Sequence, residues 1–154
     1  MLEYDFHNSI SHWVCSTAHL IQREMNAALA PRGITFRQAQ VLGSLALEGN
    51  LSQVELADRM GVEPPSLVAI LDRMERDGLI QRQPCPKDRR IRRIAPRTEV
   101  MPMWEQVVDT SRAMRARITR GMTPEQVTLL DQLLTIVRQN LKGDEKPDAA
   151  ATTA

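Results

Sequence analysis

Apolar positions recur at helical spacing along most of the chain, and the places where that rhythm stops define its organisation. Between residues 5 and 30, Ile10, Trp13, Val14, Thr17, Leu20, Ile21, Met25, Ala28 and Leu29 follow a helical period, and Pro31-Arg32-Gly33 ends it. Thr35 with Gln38 three residues later is a capping box. The helix it opens has Val41, Leu42, Leu45, Ala46 and Leu47 as its predicted buried face, and Glu48-Gly49-Asn50 reads as a loop. Ser52 and Glu55 make a second capping box, opening a helix that carries Val54, Leu56, Ala57 and Met60 and stops at Gly61. Pro64 and Pro65 suit only the first turn of a further helix, in which Leu67, Ile70, Leu71 and Met74 repeat before Asp77-Gly78.

The rhythm then changes. Residues 79–82 are apolar and then polar, as an edge strand is; residues 85–88 are turn-forming; residues 91–94 suit a return strand. Two helices joined by a short glycine turn and followed by a hairpin predict a helix-turn-helix with a wing. Residues 98–120 read as one long helix, with Pro102 tolerated in the first turn if Thr98 or Glu99 is the cap. Met103, Val107, Met114 and Ile118 form its stripe, and Gly121 ends it. A third capping box, Thr123 with Gln126 and Pro124 at the first helical position, opens a last helix bearing Val127, Leu130, Leu133, Leu134, Val137 and Leu141. Residues 143–154 lack apolar anchors and are expected to form a frayed tail.

The stretch GVEPPSLVAILDRMERDGLIQRQPCPKDRRIRRI resembles the winged helix-turn-helix of the MarR family of bacterial transcriptional regulators, nearest its SlyA-like branch. The matching pieces are PSLV where the recognition helix starts, DGLI at its exit and CPxDRR at the wing turn. The core likeness covers about 45 residues, with a looser helical layout over residues 5–142. Pro96-Arg97 replaces the family's usual Leu-Thr after the second wing strand, and Ala69 stands where the branch often has a basic residue. The expected fold is mainly α with a small β-wing. A dimerisation helix occupies 1–34, the winged DNA-binding lobe 35–97 and C-terminal dimerisation helices 98–142.

Composition adds bounds. The chain has 154 residues, 42% apolar and 25% charged, with a net charge of +1, as for one ordinary globular domain. From residue 82 to 97 there are seven basic residues (Arg82, Lys87, Arg89, Arg90, Arg92, Arg93, Arg97) against one acid, Asp88. Alone, such a run is a solvated hairpin; directly after a helix-turn-helix it points to phosphate. There is no span-length apolar run and no cationic start of a signal peptide, and Cys15 and Cys85 make no disulfide framework. A cytoplasmic protein with reduced thiols is expected.

The terminal helices carry more apolar surface than a small winged lobe covers, which fits either a larger monomeric core or a homodimer of intertwined terminal helices; the resemblance implies the homodimer. Two recognition helices would then read successive major grooves of double-stranded DNA about 34 Å apart. Pro64, Pro65, Ser66 and Ala69 would reach base edges, none as a bidentate reader, so thymine methyls and water-mediated contacts are expected. Arg73 would reach phosphate or a base, Arg76 the backbone and Gln53 a phosphate. By resemblance Asp88 and Arg90 are the wing-tip pair, Arg90 entering an A·T-rich minor groove and Asp88 orienting its guanidinium. Lys87 and Arg89 would meet phosphate.

His12, Cys15 and His19 share one helix face, with Trp13 and Arg23 nearby. Four readings stay open. A small aromatic carboxylate could meet His12, His19 and Arg23 with Trp13 on its ring. Cys15 could be a peroxide-sensing thiol supported by His19. Zinc would find imidazole and thiolate but no fourth ligand. The face could simply pack at a dimer interface. No serine elbow, HExxH or credible carboxylate pair is present, so neither an enzyme nor a resident cofactor or metal is expected. The competing class is a winged helix that binds proteins, which would have no need of DRR in its wing.

Overall fold

The computed structural model describes residues 9–86, 88 and 90–143. The expected start of the first helix at residue 5, the tail beyond 143, Lys87 and Arg89 lie outside the described residues. Helix α1 (Ile10–Leu29) is capped by Ser9, α2 (Phe36–Glu48) by Thr35 and α3 (Gln53–Met60) by Ser52. Helix α4 spans Pro64–Arg76, α5 Met101–Ile118 and α6 Pro124–Gly143. The expected boxes form at α2, α3 and α6, where Thr123 N–H donates to Gln126 Oε1 at 2.8 Å and Gln126 N–H to Thr123 Oγ1 at 3.3 Å. Gly61 ends α3 at φ 61°, a left-handed position that a side chain would strain.

Three strands make one antiparallel sheet in the order β1–β3–β2: β1 (Leu51–Ser52), β2 (Ile80–Pro84) and β3 (Arg92–Pro96). Ile80 pairs with Pro96 and Pro84 with Arg92; Leu51 pairs with Ile94. The wing strands thus run a little beyond the predicted 79–82 and 91–94. Strand β1, two residues long, is too short to leave a period in the sequence. Cys85 N–H donates to Ile91 O at 2.9 Å, continuing the ladder past β2.

Core side chains come from every element around the sheet: Leu29, Val41, Leu56, Leu67, Leu71, Met74, Ile80 and Ile94 are fully buried. Met25 and Leu29 of α1, with Val100 and Val107 from the segment after the wing, belong to the same cluster. Asn26 Oδ1 accepts from Phe36 N–H at 2.9 Å, tying α1 to the start of α2. The chain divides into two compact units inside α5, the first ending at Met114 and the second starting at Arg115.

Three sequence expectations are corrected. Leu47 and Ala46, expected on the buried face of α2, are exposed; Val54 of α3 is exposed as well. Leu45 and Leu56 are buried, and two residues of helix turn through about 200°, so Leu47 and Val54 face away from them. Cys85, expected to be exposed at the turn, is buried at 6%. Residues 98–120 are not one α-helix: Thr98–Val100 form a 3-10 turn before α5, and residues 119–121 are a turn. Pro102 is therefore the second residue of α5, where a missing donor costs little.

Candidate DNA-binding surface

Helix α4 divides cleanly. Leu67, Leu71 and Met74 are buried, while Pro64, Pro65, Ser66, Ala69, Arg73 and Arg76 are exposed. Glu63, its N-cap, makes no side-chain capping bond; Ser66 N–H donates to Glu63 O at 3.0 Å. Two prolines carry no amide hydrogen, so this helix start offers a phosphate fewer N–H donors than an ordinary one and presents ring carbons instead. Arg73 Nε lies 3.6 Å from Asp77 Oδ2, one turn on. Both groups are largely exposed, and such a pair is worth little. Gln53 is half-buried as the first residue of α3.

At the wing tip, Asp88 Oδ1 accepts from the main-chain N–H of Arg90 at 2.9 Å, and Asp88 O accepts from Ile91 N–H at 3.0 Å. The carboxylate shapes the turn by holding the main chain, whereas the family resemblance implies a pair with the Arg90 guanidinium. Arg90 is exposed.

Among the described basic residues of the wing, Arg82 and Arg93 are held internally. Arg82 Nη2 donates to Asp72 Oδ1 at 2.6 Å, and Arg82 Nη1 is bonded to Glu75 Oε2. Burial alone would push the Arg82 guanidinium down, but the bonds to Asp72 and Glu75 outweigh it and raise it above its usual range. Arg93 Nη1 donates to Glu55 Oε2 at 3.0 Å and to Asn50 O at 2.9 Å. Nothing in residue spacing marks these pairs, which span up to 43 positions. The charge open to a partner is correspondingly less than the sequence count implies.

Glu55 closes the capping box of α3, its Oε2 accepting from Ser52 N–H at 2.6 Å. The Ser52 amide and hydroxyl, helped by Arg93 and opposed by slight desolvation, hold its carboxyl below the usual range. A depressed folded-state value adds stability that is full above the ordinary glutamate value of about 4.3 and is lost as pH falls through the folded one. Glu55→Gln is therefore expected to unfold at lower urea than wild type near neutrality, and the gap should close under acid. Urea midpoints from about pH 7 down to about pH 3 check this; a gap that stays constant would contradict it.

On α1, Cys15, Ser16, His19, Leu20 and Arg23 line an open surface groove. His12 and Trp13 meet edge to face, ring centres 5.8 Å apart, outside that lining. Arg23 pairs with Glu24 at 3.1 Å. Cys15 is exposed. Among the described residues no three His, Cys, Asp or Glu side chains are placed to hold a metal ion, and no helix is long and apolar enough to cross a membrane.

Residues 32–91 match the MarR family model. A cysteine-to-serine mutant of MarR from E. coli complexed with operator DNA is 26% identical, covering 83% of this chain and 92% of that one, with a TM-score of 0.76. BpsR of Bordetella bronchiseptica, whose DNA binding is regulated by 6-hydroxynicotinic acid, is 17% identical, with 89% and 98% covered and a TM-score of 0.79. CouR of Rhodococcus jostii RHA1 bound to p-coumaroyl-CoA is 23% identical, with 99% of each chain covered and a TM-score of 0.73. The last two likenesses carry the fold. These likenesses agree with the winged-helix fold seen here.

Proposed function

We propose that this chain is a cytoplasmic, homodimeric, sequence-specific transcriptional regulator of the MarR family, nearest the SlyA-like branch on its CPxDRR turn. It binds a pseudo-palindromic operator with α4 of each protomer in a major groove and each wing in the flanking minor groove. The observation that carries this reading is the exposed face of α4, Pro64 to Arg76, on a helix joined to a wing that ends in exposed Arg90. Pro64, Pro65 and Ala69 meet thymine methyls and Ser66 a base edge through water. Gln53, Arg73, Arg76, Lys87 and Arg89 position the backbone, and Arg90 enters the minor groove.

The apolar terminal helices supply the homodimer contact. Release by a small aromatic carboxylate is supported by the groove on α1, where His19 and Arg23 lie beside Leu20. Peroxide sensing is the second reading, favoured by the exposure of Cys15 in the same groove.

The test is protection of genomic DNA fragments by the purified protein, alone and with a salicylate-like acid or an organic peroxide. The acid should release DNA from wild type and from Cys15→Ser, and Arg23→Ala or His19→Ala should blunt that response. Release by peroxide alone, abolished in Cys15→Ser, would replace the first reading with the second. Failure to protect any fragment would leave the protein-binding winged helix in its place.

A further inference from the structure

We propose that Arg82 is a positioning residue for DNA binding: it pins the wing to the recognition helix, so that Arg90 and the face of α4 meet DNA as one body. The inference rests on the function proposed above.

Asp72 and Glu75 stand three residues apart on α4, and therefore on one helix face. Arg82 is the third residue of β2, paired with Ile94 of β3. Its guanidinium spans both carboxylates, with Nη2 to Asp72 Oδ1 at 2.6 Å and Nη1 on Glu75 Oε2. Its main-chain N–H also donates to Glu75 Oε1 at 3.1 Å, so Glu75 holds the strand as well as the side chain. The Arg82 side chain is 24% exposed, against 58% for Asp72 and 38% for Glu75, so it is the most enclosed of the three.

A planar fork of fixed donors suits this bridge between two carboxylates, whereas a lysine supplies a point charge on a flexible stem. The contact is also a direct side-chain link between the two elements that would touch DNA. Arg93, held by Glu55 and Asn50, ties the wing instead to α3 and its approach. Ile80 and Ile94 still pack at the base of the hairpin without Arg82, so its loss leaves the fold in place while freeing the angle between wing and α4.

The test uses full-length wild type, Arg82→Gln, Arg90→Ala and the double variant, each titrated against an operator fragment recovered by genomic protection. Amide hydrogen exchange is followed on the same proteins without DNA. In the wild-type background Arg90→Ala should weaken binding about tenfold or more. In the Arg82→Gln background the further loss should be under about threefold, because a freed wing no longer delivers Arg90 to the groove. Exchange over residues 80–84 and 92–96 should quicken about tenfold in Arg82→Gln while that of α2 stays unchanged. Arg82→Lys, which keeps the charge but not the bridge, should fall between the two and carries the test if Arg82→Gln does not fold.

An Arg90→Ala penalty equal in both backgrounds would overturn the proposal, since simple loss of charge is additive. Wing exchange unaffected by Arg82→Gln would overturn it too. Should wild type retain no DNA at all, the proposed function falls, and the exchange result alone decides whether Arg82 holds the wing.

Discussion

Deleting residues 123–154 is expected to abolish both the dimer and the cooperative unfolding transition. In helix α6, Leu129, Leu130, Leu133, Leu134, Ile136 and Leu141 are all at least 38% exposed in the single chain. At 100° per residue these side chains, with Val127 and Val137, spread over about half the helix circumference, wider than a single core-facing stripe. Fully burying one such side chain is worth about 1.5–3 kcal/mol. A handful of them rivals the whole stability of a typical domain, about 5–15 kcal/mol. An isolated helix of this length is marginal in water, so a second copy of the chain is the natural cover. Sedimentation velocity and urea unfolding of residues 1–122 measure the loss. A soluble, folded monomer from that truncation would contradict the expectation. Removing only residues 144–154 should change neither stability nor DNA affinity, because apart from Pro147 that stretch has no apolar side chain larger than alanine.

Arg90→Ala carries the second large effect, an expected loss of about 1–3 kcal/mol in specific binding with relaxed preference for A·T pairs at the operator flanks. The side chain is exposed, while the turn beneath it is held by Asp88 through the Arg90 main-chain N–H. That bond survives substitution by alanine, so the variant removes the guanidinium and leaves the turn. A guanidinium in a narrow minor groove reads groove width rather than one base, which is why selectivity should loosen gradually. Arg89→Ala should behave differently, weakening all sequences about equally and lowering the salt slope by about one counterion. Competition titrations of flank-varied operators at two salt concentrations distinguish the two. Binding by Arg90→Ala equal to wild type, with the same flank preference, would sink the role given to the wing tip.

The sequence by itself determined the order of elements and most of their ends. Ser52 with Glu55, Thr35 with Gln38 and Thr123 with Gln126 are caps three residues apart, and Pro64-Pro65 and Gly61 act through their own backbone limits; all of this chemistry is local. The helix-turn-helix, its wing and the PSLV, DGLI and CPxDRR pieces are legible for the same reason. Only the tertiary structure decided what depends on distant partners. Strand β1 exists because β3 offers it a ladder edge, not because two residues prefer a strand. Cys85 is buried at the base of a turn that its composition alone would leave in water. Arg82 and Arg93 look in sequence like Arg90, but Arg82 meets carboxylates seven and ten residues away and Arg93 one 38 residues away. A sequence shows how many charges a hairpin has; which of them are already paired follows from the packing that brings α3 and α4 against it.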